Sequence, residues 1–140
     1  MTAAEARRRF AAARVARLAT ADATGRPHVV PVVFAVACDT DTVYSAVDDK
    51  PKRTTRLRRL ANVAATPAVA LLADHYAEDW DALWWVRADG TGRVLQPGDG
   101  EAARAVALLA ARYGAYAARP PAGAVLAVDV TRWSGWAARS

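Results

Sequence analysis

Cysteine is almost missing from this chain: Cys38 stands alone among 140 residues. A single thiol excludes an intrachain disulfide and a thiolate-rich metal site, and it points to a reducing cytoplasm as the working environment. Histidine is nearly as scarce. His28 and His75 lie far apart, with no His-x-x-x-His or Cys-x-x-Cys spacing, so no metal-binding pattern is present. Neither a Gly-x-Ser-x-Gly elbow nor a paired serine and histidine offers acyl-transfer chemistry. Apolar runs fall short of the roughly 20 residues that cross a bilayer, and the arginine-rich start lacks the uninterrupted apolar stretch of a secretory signal. No glycine-rich dinucleotide fingerprint follows the first strand, because Asp22-Ala23-Thr24-Gly25 reads only as a turn. Lysine is the last scarcity: Lys50 and Lys52 are the only two, against seventeen arginines.

What remains is a chain 54% apolar and 24% charged, the balance of a folded protein with one hydrophobic core in a single domain over residues 1–140. It is too short for two substantial domains, so a second wall of any active site has to come from another subunit. The net charge of +5 and the pI near 10 suit an acidic partner. Ala, Val and Trp are interspersed with the arginines as in a barrel wall, and no base-reading motif appears. The expected partner is a small molecule, not nucleic acid or a membrane.

Hydrophobic periodicity and turn signals divide the chain into short elements. Thr2 and Glu5 fit a capping box that opens a helix over residues 3–15. Strands follow at 17–21, 27–37 and 42–47, separated by turns at Asp22 to Arg26 and Asp39 to Asp41. Leu57, Leu60 and Val63 recur at helical spacing, with Arg56, Arg58 and Arg59 on the other faces, until Pro67 ends the pattern. A buried strand at 68–73 leads into the acidic loop Asp74 to Asp79. Residues 83–88 and 92–95 form a hairpin about an Asp89-Gly90 turn, residues 101–113 a helix and 124–130 a last strand. About six strands with three helices and short connections predict a small barrel, mainly β, and not a doubly wound sheet.

The two lysines sit together in Asp48-Asp49-Lys50-Pro51-Lys52-Arg53-Thr54-Thr55-Arg56, where a strand gives way to a helix. Free amides and the positive end of the helix dipole favour an anion there, and Lys50, Lys52 and Arg53 supply charge. The alternative is a solvated basic turn that balances Asp48 and Asp49. Trp84 and Trp85 face opposite sides of a strand, so at most one can line a given pocket. The other packs in the core or an interface. Trp133 and Trp136 either cover a flat ring or close the barrel. His28 reads first as a structural histidine and second as a general acid.

The ordered set Arg17-Leu-Ala-Thr20, Gly25-Arg-Pro-His-Val-Val-Pro31, Val43-Tyr-Ser-Ala-Val-Asp48, Lys50-Pro-Lys-Arg-Thr54 and Leu57-Arg-Arg-Leu60 resembles the flavin and deazaflavin oxidoreductases. These belong to the split-barrel superfamily that includes pyridoxamine 5′-phosphate oxidases. Asp74-His-Tyr-Ala-Glu-Asp-Trp80 and Leu83-Trp-Trp-Val-Arg-Ala-Asp-Gly90 look like the actinobacterial, F420-dependent branch. The likeness spans residues 15–95 and continues loosely beyond.

The resemblance implies a six-stranded split barrel of the FMN-binding type that forms a homodimer with one cofactor in each intersubunit groove. Lys50, Lys52, Arg53, Thr54 and Arg56 match the positions that hold the cofactor phosphate. Backbone at Pro31, Val32 and Val33 and at Ser45, Ala46 and Val47 would flank the ring, with Trp85 approaching from the barrel wall of either subunit. Coenzyme F420 is the expected cofactor and FMN the alternative. F420 carries an acidic glutamate tail that Arg56, Arg58 and Arg59 would reward, whereas FMN ends at its phosphate. The implied activity is hydride transfer between deazaflavin and a small organic substrate. Its alternatives are a flavin oxidase or reductase and a non-catalytic F420 carrier. The cofactor carries the hydride, so no catalytic side chain is expected.

Overall fold

A computed structural model describes residues 1–47 and 53–139, and side chains within the helix that starts at residue 53 from residue 58 onward. The first helix, α1 (Ala3–Ala12), opens as its sequence predicts: the Thr2 hydroxyl accepts from the Glu5 amide at 3.1 Å, and Glu5 pairs with Arg8 and Arg9. Ala6 and Phe10 are its buried face. It stops short of the expected Val15 because Arg112 donates to the carbonyls of Ala11 and Ala13. Those carbonyls are thereby satisfied without a further helical turn.

The strands β1 (Ala16–Ala21) and β2 (Pro27–Val32) form a hairpin. In its turn Asp22 Oδ1 accepts from the Thr24 and Arg26 amides, and Gly25 takes a φ of +88°. The expected single strand over residues 27–37 is broken into β2 and β3 (Ala35–Ala37). The cause is Tyr113, whose hydroxyl accepts from the Phe34 amide at 3.2 Å and donates to the Phe34 carbonyl at 2.9 Å. With both its backbone groups held by a side chain, Phe34 leaves the ladder, and its ring turns into the core against Phe10 at 4.6 Å.

After β4 (Thr42–Ala46) come α2 (Arg53–Ala65), β5 (Ala68–His75), a single 3-10 turn at Trp80–Ala82, β6 (Trp84–Leu95), α3 (Gly100–Arg112), the short α4 (Gly114–Ala118) and β7 (Val125–Ala137). The expected hairpin at Asp89-Gly90 does not form. Its residues run straight through β6, which pairs with β5 on one side and β7 on the other, with a register shift at Asp89/Gly90. Glycine is required there because a Cβ would collide with the Asp129 carbonyl oxygen and lie 2.9 Å from Val128 Cγ1. An Asp-Gly pair thus serves a bulge where the sequence pattern suggests a turn.

All pairings are antiparallel, in the order β2-β1-β5-β6-β7-β4-β3. The two edge strands are consecutive in the chain and separated only by Val33 and Phe34. The sheet is therefore not closed by hydrogen bonds, and its two edges are joined by a bend of the chain. This is a mainly β split barrel with flanking helices and a seven-stranded sheet: the break between β2 and β3 adds a strand to the expected set, and the fusion of the expected hairpin into β6 removes one. The core gathers Phe10, Leu18, Phe34, Leu71, Val86 and Leu126. Trp133, on an extended last strand, packs its ring 5.3 Å from Phe10, against the core.

One polar cluster ties the helical cap to the sheet. Arg93 on β6 donates to both Glu101 oxygens on α3, at 2.7 and 2.8 Å, and to both Asp129 oxygens on β7, at 2.7 and 2.9 Å. Tyr44 on β4 adds a 2.8 Å bond to Glu101. The guanidinium holds the Glu101 carboxyl down to about 2 and Asp129 below the ordinary range, while burial raises the Tyr44 phenol.

Candidate cofactor site at the junction of β4 and α2

β4 is buried along its whole length, and Val47 just beyond it is buried as well. α2 begins at Arg53, six residues after Val47. The helix is anchored by its second half. Asn62 Nδ2 donates to Thr20 Oγ1 at 3.1 Å, both residues being about 95% buried, and Thr66 Oγ1 donates to the Asp22 carbonyl at 3.1 Å. Val63 fits over Gly92, where a Cβ would meet Val63 Cγ1 at 2.9 Å.

Of the residues expected to hold a cofactor, Lys50 and Lys52 lie outside the described residues. Arg53, Thr54 and Arg56 occupy the first turns of α2. The Arg53 and Thr54 backbone amides are among those a helix start leaves without internal partners. Ser45, Ala46 and Val47 are buried at the end of β4, so their backbone edges, not their side chains, would face a ligand. Pro31, Val32 and Val33 end β2 and begin the bend to β3. The β3–β4 ladder stops at Ala35 and Tyr44, so Val33 and Ala46 stand where the two strands part. That is the mouth of the split.

Trp85 lies on β6, paired with Asp74 on β5 and Trp136 on β7. Through β1 and β5 it is level with the end of β2, where Val32 pairs with Ala16, whereas the Ala46 side of the mouth aligns through Val125 with Leu95, ten residues further along β6. Trp85 is half-buried, with Arg87 5.8 Å above its ring.

Next to the junction lies a cavity of about 590 Å³ that pattern reading missed, lined by Asp22, Arg26, Pro27, His28, Arg58, Ala61 and Asn62. The spacing of Arg58, Ala61 and Asn62 puts them on one helical face, which is the signal the sequence offered. What it withheld is the packing of that face over the β1–β2 hairpin.

The description of the pyridoxamine 5′-phosphate oxidase family matches residues 2–137. This chain belongs to that family. The match extends beyond the segment legible from motifs, taking in α1 and all of β7. Solved structures agree on the fold at low identity. A conserved hypothetical protein from Mycobacterium tuberculosis superposes with a TM-score of 0.72 at 21% identity, covering 99% of this chain and 86% of the other. An FAD-binding protein from Mesorhizobium loti gives 0.70 at 23%, covering 96% and 94%. The heme storage protein HutZ from Vibrio cholerae gives 0.70 at 16%, covering 98% and 95%. No curated protein matches the chain.

The donor set at the junction fits a phosphate-bearing ring cofactor. A 13-residue helix starts there, cationic side chains cluster in sequence around its first turn, and buried strand backbone stands at the adjoining mouth. Among the described residues no group of histidine, cysteine and carboxylate side chains could hold a metal ion. No helix is long and apolar enough to cross a membrane.

Proposed function

We propose that this family member is an F420-dependent oxidoreductase that transfers a hydride between the deazaflavin and a small organic substrate. Lys50, Lys52, Arg53 and Thr54, with Arg56, hold the cofactor phosphate. Backbone at Pro31, Val32 and Val33 and at Ser45, Ala46 and Val47 flanks the ring. The observation that carries this reading is the junction itself: only five residues separate buried Val47 from the helix start at Arg53, and the chain's two lysines are among them. The cofactor supplies the hydride chemistry when bound; the protein's groups bind it, orient it and exclude water.

The protein works as a homodimer with the cofactor in the groove between subunits, and Trp85 approaches the ring from the barrel wall of either subunit. The continuation of arginines at positions 56, 58 and 59 supports F420, whose acidic tail extends past the phosphate. A second reading, a flavin-binding oxidase, reductase or carrier, is favoured by the Mesorhizobium relative, described as FAD-binding. Titrating purified protein with oxidised F420, FMN and FAD, followed by cofactor fluorescence, separates the two. Saturable binding of F420 with none of the flavins supports the first reading, and flavin preference replaces it with the second. Turnover of the reduced cofactor against electron-poor organic substrates then distinguishes an enzyme from a carrier.

A further inference from the structure

We infer that the outward face of the half-sheet made by β2, β1, β5 and the first part of β6, with the end of β7, is the surface on which a second copy of this chain docks. The inference rests on the homodimer of the proposed function and assigns its face.

The ladders fix which side chains share that face. Val29, Ala19 and Ala70 align in one row and Leu72 lies in the next, while Trp85 and Trp136 pair in a third. Their strand neighbours Leu18, Leu71 and Val86 point the other way, into the core. None of the outward side chains belongs to a core cluster, and Val29 and Trp136 are 61% and 46% exposed. The helices are engaged elsewhere. α1 and α2 turn Phe10 and Val63 into the barrel core, and α3 lays Ala102, Ala105 and Leu109 over β3, β4 and the adjoining ends of β6 and β7. Among the described residues this leaves an apolar sheet face bare, of the kind that marks an interaction surface.

Its charges say what covers it. On this face Arg17 pairs with Asp74 at 4.0 Å and Arg87 with Asp89 at 3.0 Å, and Arg132 at the margin stands opposite Asp89. A chain of net charge +5 thus presents here a surface of nearly balanced sign. A polyanion finds little unpaired charge on it. A two-fold dimer sets the same patch against itself, which a balanced face permits and a patch of one sign resists. Tryptophan and arginine side chains also match the composition of subunit interfaces. The row of Leu72 continues through Arg17 to Pro31, at the mouth of the split. A copy docked on this face therefore stands where it supplies the second wall that so short a chain lacks.

Sedimentation equilibrium over a concentration series of cofactor-free protein tests the assignment. Wild type should be a dimer. Val29→Glu and Trp136→Glu each put a carboxylate where docking would strip it of water, and should weaken self-association on the order of 100-fold or more with wild-type far-UV circular dichroism. Ala107→Glu, on the exposed side of α3, should leave association unchanged. Hydroxyl-radical footprinting of wild type is a readout that needs no substitution. Val29 and Trp136 should react far less than their exposure in one chain implies, with Cys38, exposed on the β3–β4 turn, as reference. Dimers that persist in both variants, or full reactivity of Val29 and Trp136 in the dimer, overturn the assignment and leave a homodimer with another face. A monomeric wild type overturns the face and the homodimer together. Dissociation of both variants in a protein that binds no F420 upholds this face and removes the proposed cofactor, so the two readings fail separately.

Discussion

Replacing Arg93 with Ala tests whether the cluster around it holds the helical cap to the sheet. The substitution removes four charge-assisted hydrogen bonds of 2.7 to 2.9 Å and leaves Glu101 and Asp129 facing each other without their cation. Such bonds are worth about 1.5–3 kcal/mol each when buried. Here the side chains of Arg93, Glu101 and Asp129 are 40%, 24% and 46% exposed, so solvent screening reduces each to a few tenths of a kcal/mol. Adding the released repulsion gives a loss of about 2 kcal/mol. With a urea slope of about 2 kcal/mol per molar, the unfolding midpoint at pH 7 drops by about 1 M at fixed protein concentration. The effect depends on pH in a defined direction. Glu101 and Asp129 have folded pKa values below their ordinary ones, Glu101 at about 2 from 4.5. Their stabilisation is complete above the unfolded values and is lost as pH falls from about 4.5 toward 2. The gap between wild type and Arg93→Ala should therefore narrow below pH 4.5. A variant within 0.5 kcal/mol of wild type at pH 7, taken as roughly the spread of ordinary surface changes, would refute the reasoning. So would a gap that stays constant across the acid range.

Gly90→Ala should cost about 2–4 kcal/mol by thermal unfolding, because its Cβ would strike backbone at Asp129 and neither paired neighbour of β6 can retreat. Tyr113→Phe strips both Phe34 backbone groups of their partner and should lose about 1–3 kcal/mol, with faster amide exchange at Phe34 as the local signature. Asn62→Leu leaves the buried Thr20 hydroxyl without its donor; a destabilisation of about 1–3 kcal/mol is expected, and a neutral result would show that Val63 and Thr66 hold α2 without it. Trp85→Ala should weaken cofactor binding about tenfold, in keeping with the loss of one ring contact. A homodimer of this variant with unaltered affinity would remove Trp85 from the groove.

Much of the architecture was legible because local signals and burial agree. The Thr2 cap, the Asp22 turn, the helical spacing of Leu57, Leu60 and Val63, and the apolar run of β5 each mark elements that form nearly where expected. The failures share a cause in long-range contacts. Residues 27–37 carry strand composition throughout, and only Tyr113, some 80 residues away, withdraws Phe34 from the ladder. Asp89-Gly90 has the composition of a hairpin turn, but β7 crosses closely enough to need a glycine. The end of α1 is decided by Arg112, which no local pattern near Ala12 reveals. At the candidate site the motif pointed to the start of α2 because its cations are contiguous. The adjoining cavity draws Arg26 and His28 from one element and Arg58 and Asn62 from another, so no single stretch of sequence displays it.

The central claim places the cofactor phosphate at the junction of β4 and α2. Fluorescence titration of F420 against wild type and Lys50→Ala/Lys52→Ala tests it most directly. Loss of two charge-assisted contacts, at about 1.5–3 kcal/mol each, predicts at least a 100-fold weaker affinity in the variant with an unchanged thermal midpoint of the unliganded protein. Equal affinity in the two proteins would contradict the account.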